Sequence, residues 1–183
     1  MRIISGIHKG RKFHPPRKNP ARPTTDFAKE GLFNILHNVW NFEQVKYLDL
    51  FGGTGSISFE MGSRGCPDIT LVELHGPNIQ FIEQTAEQLD LPIQAIQMDV
   101  FAFMAATPHK YDIIFAGPPY PLPNLGEIPN LLFEHELLLP GGWFILEHNP
   151  QYNFEDHPKL HMMRTYGTTH FSIFMEPEEE TTS

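Results

Sequence analysis

The feature that most constrains this chain is a repeat that starts at Lys46. A short apolar segment bounded by turn residues gives way to a segment with apolar side chains at helical spacing, and the pair recurs. Tyr47–Phe51, Ile69–Glu73, Ile93–Met98, Tyr111–Ala116 and Gly142–Glu147 read as strands. Ser56–Ser63, Gly76–Leu89, Val100–Ala106 and Ile128–Leu138 read as the helices between them. Such alternation predicts an α/β fold, a mostly parallel, doubly wound sheet. Sheets of that kind take their ligands at the carboxyl ends of the strands. Leu160–Tyr166 and His170–Phe174, around Gly167, then read as an antiparallel hairpin at one sheet edge.

What precedes the repeat is different in kind. Residues 1–14, with Ile3, Ile4, Ile7 and Phe13 around Gly6 and Gly10, read as a small β-hairpin. Pro15, Pro16, Pro20 and Pro23 make the next stretch an extended connection. A helix is expected over Thr25–Asn38, started by Thr24, Thr25 or Asp26 and facing the core with Leu32, Phe33, Leu36 and Val39. The chain therefore divides into an N-terminal arm (1–23), one α/β domain (24–175) and an acidic tail (176–183) expected to be disordered.

Charge separates along the same boundary. The net charge is −9, yet residues 1–25 carry Arg2, Lys9, Arg11, Lys12, Arg17, Lys18 and Arg22 and no acid. That is +7 in the arm against −16 in the rest, the pattern of a basic segment that meets a phosphate backbone. The single cysteine, Cys66, excludes an internal disulfide framework and a cysteine-based zinc site. The ten histidines form no metal-ligand motif, so no metal is expected. The apolar runs are strand-length, too short for a membrane span, and the first residues lack the apolar core of a secretion signal. A cytoplasmic, monomeric protein is the expectation.

Two loops carry chemistry. In Leu48-Asp49-Leu50-Phe51-Gly52-Gly53-Thr54-Gly55, glycines stand where a buried strand hands over to a helix, so a ligand can lie directly on the backbone. Asp49 can accept from a ligand ammonium or from the amides of the turn. Glu73, 18 residues past Gly55, ends the second strand and is placed for ribose hydroxyls. Asp99 ends the third and suits an adenine amino group or an N-cap of the Val100 helix. The glycine spacing is neither a P-loop nor Gly-x-Gly-x-x-Gly, which favours an adenosine cofactor other than NAD. The second loop, Ala116-Gly117-Pro118-Pro119-Tyr120, runs an apolar strand into two prolines and an aromatic. Its carbonyls accept, its shape is stiff, and Tyr120 offers a face for a flipped-out base.

On these residues the chain resembles the class I S-adenosylmethionine-dependent methyltransferases, which are Rossmann-like, and among them the RsmD family. The likeness spans residues 1–175. It covers Arg2-Ile3-Ile4-Ser5-Gly6 with Lys9-Gly10-Arg11-Lys12, then Arg22-Pro23-Thr24-Thr25-Asp26 before Leu32-Phe33-Asn34-Ile35-Leu36. It continues through the glycine turn, Ser63-Arg64-Gly65, Leu71-Val72-Glu73, Pro118-Pro119-Tyr120, Gly141-Gly142 before Glu147, and Tyr166-Gly167. The resemblance implies methylation of the exocyclic N2 amine of a guanine in 16S rRNA, within a small-subunit or assembly particle. It implies S-adenosylmethionine on Asp49, Phe51, Gly52, Gly53, Gly55, Glu73, Leu74, Asp99 and Val100. Catalysis would fall to Gly117, Pro118, Pro119 and Tyr120, and RNA contact to Arg11, Lys12, Arg17, Lys18, Arg22 and Thr24.

One position departs from the family. Where the family carries Asp or Asn before Pro-Pro-Tyr, to accept a hydrogen bond from the target amine, this chain has Gly117. A missing charge-assisted bond costs about 1.5–3 kcal/mol, so cofactor binding is expected to survive while methyl transfer weakens, unless the Gly117 or Pro118 carbonyl holds the amine. Two other functions fit parts of the pattern: a DNA adenine or cytosine amino-methyltransferase, and a catalytically weak RNA-binding or ribosome assembly factor on the same fold.

Overall fold

The computed structural model describes residues 1–18 and 23–180. Helix α1 (Asp26–Val39) leads through a 3-10 turn (Phe42–Gln44) into β1 (Lys46–Leu50). Then follow α2 (Ser56–Ser63), β2 (Asp68–Glu73), α3 (Gly76–Leu89), β3 (Ile93–Gln97), α4 (Val100–Ala106) and β4 (Tyr111–Ala116). A second 3-10 turn (Leu125–Glu127), α5 (Ile128–Glu134), β5 (Leu138–His148), β6 (Leu160–Tyr166) and β7 (Thr169–Met175) complete the order. One sheet results, ordered β3-β2-β1-β4-β5-β7-β6. Strands β1 to β5 run parallel, while β7 pairs antiparallel with both β5 and β6. The expected parallel sheet with an antiparallel edge is present, and it is the hairpin's second strand that joins β5.

Because β1 lies between β2 and β4, the chain reverses its winding direction at the β1/β4 boundary. In open α/β sheets the ligand crevice opens at that point. The inner strands β1, β2 and β4 and the second half of β5 are buried on both faces, as helices on either side demand. Tyr47, Ile113, Phe115 and Ile145 pack under Leu32, Phe33 and Leu36 of α1. Leu48, Leu50, Ile114 and Phe144 pack under α4 and α5 on the other side.

Four expectations need correction. The N-terminal hairpin reduces to one antiparallel bridge, Arg2↔Lys12, because Gly6 and Gly10 at φ of 85° and 84° close a tight loop between them. Ile3 and Phe13 are buried nonetheless, with Phe13 stacked on Phe59 of α2 at 5.3 Å, so the arm is fastened to the domain. In α1 the inward position is Lys29, not Val39: Lys29 is 1% exposed and Val39 56%. Helix α5 stops at Glu134 instead of Leu138, because Glu136 turns left-handed at φ 54° and Leu138 already pairs with Tyr111 of β4. Gly141 and Gly142 consequently lie inside β5 at a register shift, where Gly141 takes φ 76°. The start of the tail is tied down as well, since Gly141 N donates to Glu176 O and Glu176 N to Gly142 O. Among the described residues no helix is long and apolar enough to cross a membrane.

Candidate active site

The parallel register brings the carboxyl ends of β1, β2 and β4 to one edge, and a cavity of about 270 Å³ opens there. The glycine turn and the diproline corner both line it: Phe51 from the first, Gly117, Pro118, Pro119 and Tyr120 from the second. Glu73, Leu74, Asp99 and Val100 form its far wall, together with Phe101. A smaller adjoining space of about 40 Å³ is lined by Pro23, Thr24, Asp49, Gly52, Gly53 and Thr54, and it shares Phe51, Gly117 and Glu147 with the larger one.

The turn itself is built for close approach. Gly53 and Gly55 take φ of 58° and 84°, and Phe51 takes 57°, a left-handed conformation that costs a non-glycine residue about 1–3 kcal/mol and recurs at functional sites. At Gly52 a Cβ would stand 2.4 Å from Leu71 Cγ, so only glycine fits between the turn and β2. Glu73 locks the arrangement, because Gly53 N donates to its Oε1 at 3.0 Å and His75 N to its Oε2 at 2.9 Å. The amide acceptor of the turn is thus Glu73 rather than Asp49.

Asp49 is 2% exposed and accepts a 2.6 Å hydrogen bond from Ser58 Oγ of α2. Burial pushes its pKa up to about 7; the Ser58 hydrogen bond opposes the shift and the charge of Glu73 adds to it. A carboxyl so poised gains most from an incoming cation. Asp99 N-caps α4, with Ala102 N donating to its Oδ1 at 3.0 Å, and the same residue lines the cavity wall.

The arm reaches this site at Met1, and the residue that follows the arm reaches it at Thr24. Thr54 Oγ1 lies 3.2 Å from Met1 Sδ, and Thr24 Oγ1 donates to Glu147 Oε2 at 2.9 Å. Arg11, Lys12, Arg17 and Lys18 are all exposed, whereas Arg22 lies outside the described residues. Sequence reasoning gave Glu147 no role. The same signal that singles out Asp49, Glu73 and Asp99, an acid at the end of a parallel strand, marks it too.

The cavity fits an adenosine cofactor on its own evidence. Phe51, Leu74, Val100 and Phe101 supply apolar walls for a flat ring, and acids stand at three strand ends around them. A family model described as conserved hypothetical protein 95 matches residues 1–175. The Bacillus subtilis protein YlbH is 31% identical over 95% of this chain and 98% of its own length. The chain belongs to the RsmD family of S-adenosylmethionine-dependent methyltransferases. Another member of the RsmD family, the ribosomal RNA small subunit methyltransferase D of Haemophilus influenzae, is 32% identical over 80% of this chain and 78% of that one. Among solved structures, yhhF of Escherichia coli superposes with a TM-score of 0.83 at 27% identity, covering 98% of this chain and 99% of that one.

Proposed function

We propose that the chain methylates the exocyclic N2 amine of a guanine in 16S rRNA, using S-adenosylmethionine. The observation that carries this reading is the shared cleft: Phe51, at the start of the glycine turn, borders one cavity with the Gly117–Tyr120 corner, and Gly52 and Gly53 line the adjoining space that Phe51, Gly117 and Glu147 also line. Relatives named ribosomal RNA small subunit methyltransferase D support the choice of substrate. When bound, S-adenosylmethionine supplies an electrophilic methyl group on a sulfonium.

The chain's own residues bind and orient. Asp49 takes the ammonium of the methionine portion over Gly53 and Gly55. Glu73 accepts from ribose hydroxyls with the lone pairs its amide partners leave, and Asp99 accepts from the adenine amine while Val100 and Leu74 flank the ring. Pro118 and Pro119 hold a stiff corner, on which Tyr120 stacks the guanine. Positioning of this kind supplies much of a transfer rate when nucleophile and electrophile are held in line. Arg11, Lys12, Arg17 and Lys18, with Arg22 and Thr24 on the connection, contact the RNA. The substrate in the cell is a small-subunit or assembly particle, and the enzyme acts as a cytoplasmic monomer.

Transfer of labelled methyl from S-adenosylmethionine to naked 16S rRNA, to small-subunit particles and to duplex DNA tests this reading. N2-methylguanine in the rRNA is the expected product, detected by mass spectrometry of nucleosides. Label in DNA, or none in RNA despite cofactor binding, overturns it. Binding is read separately from melting: at 100 times Kd a native-state ligand adds about 2.7 kcal/mol, or a Tm rise of about 5–11 °C at this size.

A further inference from the structure

The family's amine acceptor projects from the residue before Pro-Pro-Tyr, and here that residue is Gly117. The space is not vacant. A Cβ built on Gly117 would lie 3.1 Å from Glu147 Oε2 and 3.1 Å from Phe115 Cε1. A carboxylate oxygen therefore already stands where a side chain at 117 would project, delivered from the neighbouring strand. The register explains how. Ala116 of β4 pairs with Leu146 of β5, so Gly117 and Glu147 are the next residues at the ends of adjacent parallel strands. Glu147 is 7% exposed, lines both parts of the cleft, and is held by Thr24 Oγ1 at 2.9 Å.

We infer that Glu147 is the catalytic hydrogen-bond acceptor for the target amine, replacing across the β4/β5 boundary the carboxylate that Gly117 lacks, and that Thr24 is its positioning residue. The inference rests on the methyl-transfer reading of the cleft. A carboxylate has about four lone-pair sites, so Glu147 can accept from an amine alongside the contacts that hold it, Thr24 Oγ1 among them. Accepting one N–H turns the nitrogen lone pair toward the methyl carbon. The nitrogen–carbon bond forms as the carbon–sulfur bond breaks, the electron pair leaves with sulfur, and the nitrogen's surplus proton passes to water. The departure at Gly117 is then a relocation of the acceptor and not its loss.

The test uses the full-length protein and three readouts: single-turnover methyl transfer to small-subunit particles, Kd for S-adenosylhomocysteine, and binding of guanosine against inosine, which lacks the amine, in the presence of S-adenosylhomocysteine. Glu147→Ala is expected to slow transfer about ten- to a hundredfold, the range for a lost charge-assisted bond, with the S-adenosylhomocysteine Kd unchanged within about twofold. Glu147→Gln keeps an acceptor oxygen and stays within about tenfold of the wild type. Gly117→Asp in the Glu147→Ala background restores transfer, which no structural role of Glu147 would produce. Thr24→Val slows single-turnover transfer while the S-adenosylhomocysteine Kd holds. The wild type prefers guanosine to inosine, and Glu147→Ala abolishes the preference even if turnover is too slow to measure. Equal rates for wild type and Glu147→Ala, an unaltered nucleoside preference, or no preference in the wild type each overturn the inference. Failure of the underlying reading is distinct: the wild type then transfers no methyl to small-subunit particles, so there is no rate for Glu147→Ala to match.

Discussion

Removing the Glu60 carboxylate should detach the N-terminal arm and cost a large part of the stability of the fold. Glu60 of α2 is fully buried, and it accepts from Ile4 N at 2.8 Å, Ser5 N at 3.1 Å and Arg64 Nε at 2.9 Å. Lys29 Nζ of α1, 1% exposed, stands 3.6 Å from its Oε1 and also donates to Arg2 O and Ser56 Oγ. Glu60→Ala strands a buried ammonium and two backbone donors. Breaking a buried pair in this way costs about 3–5 kcal/mol, which at this size lowers Tm by roughly 6–20 °C. Urea unfolding at pH 7 gives the free energy. Limited trypsin cleavage at Lys9, Arg11 and Lys12 reports the arm, and it should accelerate at least as strongly. The pH supplies a further check. Burial, partly offset by Glu60, holds the Lys29 ammonium below its usual pKa, so between that lowered value and 10.5 the unfolded chain binds the extra proton. Stability contributed there rises with pH, and the deficit of Glu60→Ala should shrink as the stranded lysine deprotonates. A loss under about 1 kcal/mol with unchanged trypsin sensitivity would refute the assignment of the arm's anchor to this network.

Three other outcomes follow from the site. Asp49 titrates near pH 7 in the folded protein against about 4 unfolded, so the folded chain binds the extra proton between those values and this group's contribution to stability falls as pH rises through them. Binding of an ammonium needs the ionised form. With about one carboxyl in ten ionised at pH 6, calorimetry should show S-adenosylhomocysteine binding up to about tenfold weaker there than above pH 8, and a flat profile in Asp49→Asn. Gly52→Ala drives a methyl 2.4 Å from Leu71 Cγ, and thermal melts should show about 1–3 kcal/mol of destabilisation together with weakened cofactor binding. Alanine at each of Arg11, Lys12, Arg17 and Lys18 should lower RNA affinity and reduce the salt slope by about 0.7–0.9 for each phosphate no longer neutralised, with cofactor binding unchanged; a salt slope equal to the wild type's would remove that residue from the interface.

The sheet and its ligand edge were legible because they follow from local rules. Alternating strand and helix periods imply parallel crossovers, and parallel strands bring Asp49, Glu73, Asp99 and Glu147 to a common edge whatever the packing between them. The glycine turn announces close backbone approach, and the structure shows the reason at Gly52 against Leu71. Helix α1 was legible to within a residue, since Thr25 caps it by accepting from Ala28 N.

Other features depend on which surfaces meet. Periodicity marked Val39 as inward, but the arm and α2 cover the face that carries Lys29, because Glu60 waits there with a buried carboxylate. A helical pattern runs past Glu134, yet pairing of Leu138 with Tyr111 draws the chain back into the sheet. The pKa of Asp49 is a property of its burial, and no spacing encodes that.

By itself, then, the sequence determined the order of strands and helices, the turn that only glycine can make, and the edge at which a ligand must sit, since each depends on residues within a few positions of one another. The tertiary structure alone decided that a glutamate on β5 stands in the space beside Gly117 and that a threonine ahead of α1 holds it there. Those contacts join residues 30 and 123 positions apart, and the distance between two such side chains is set by strand register and helix packing.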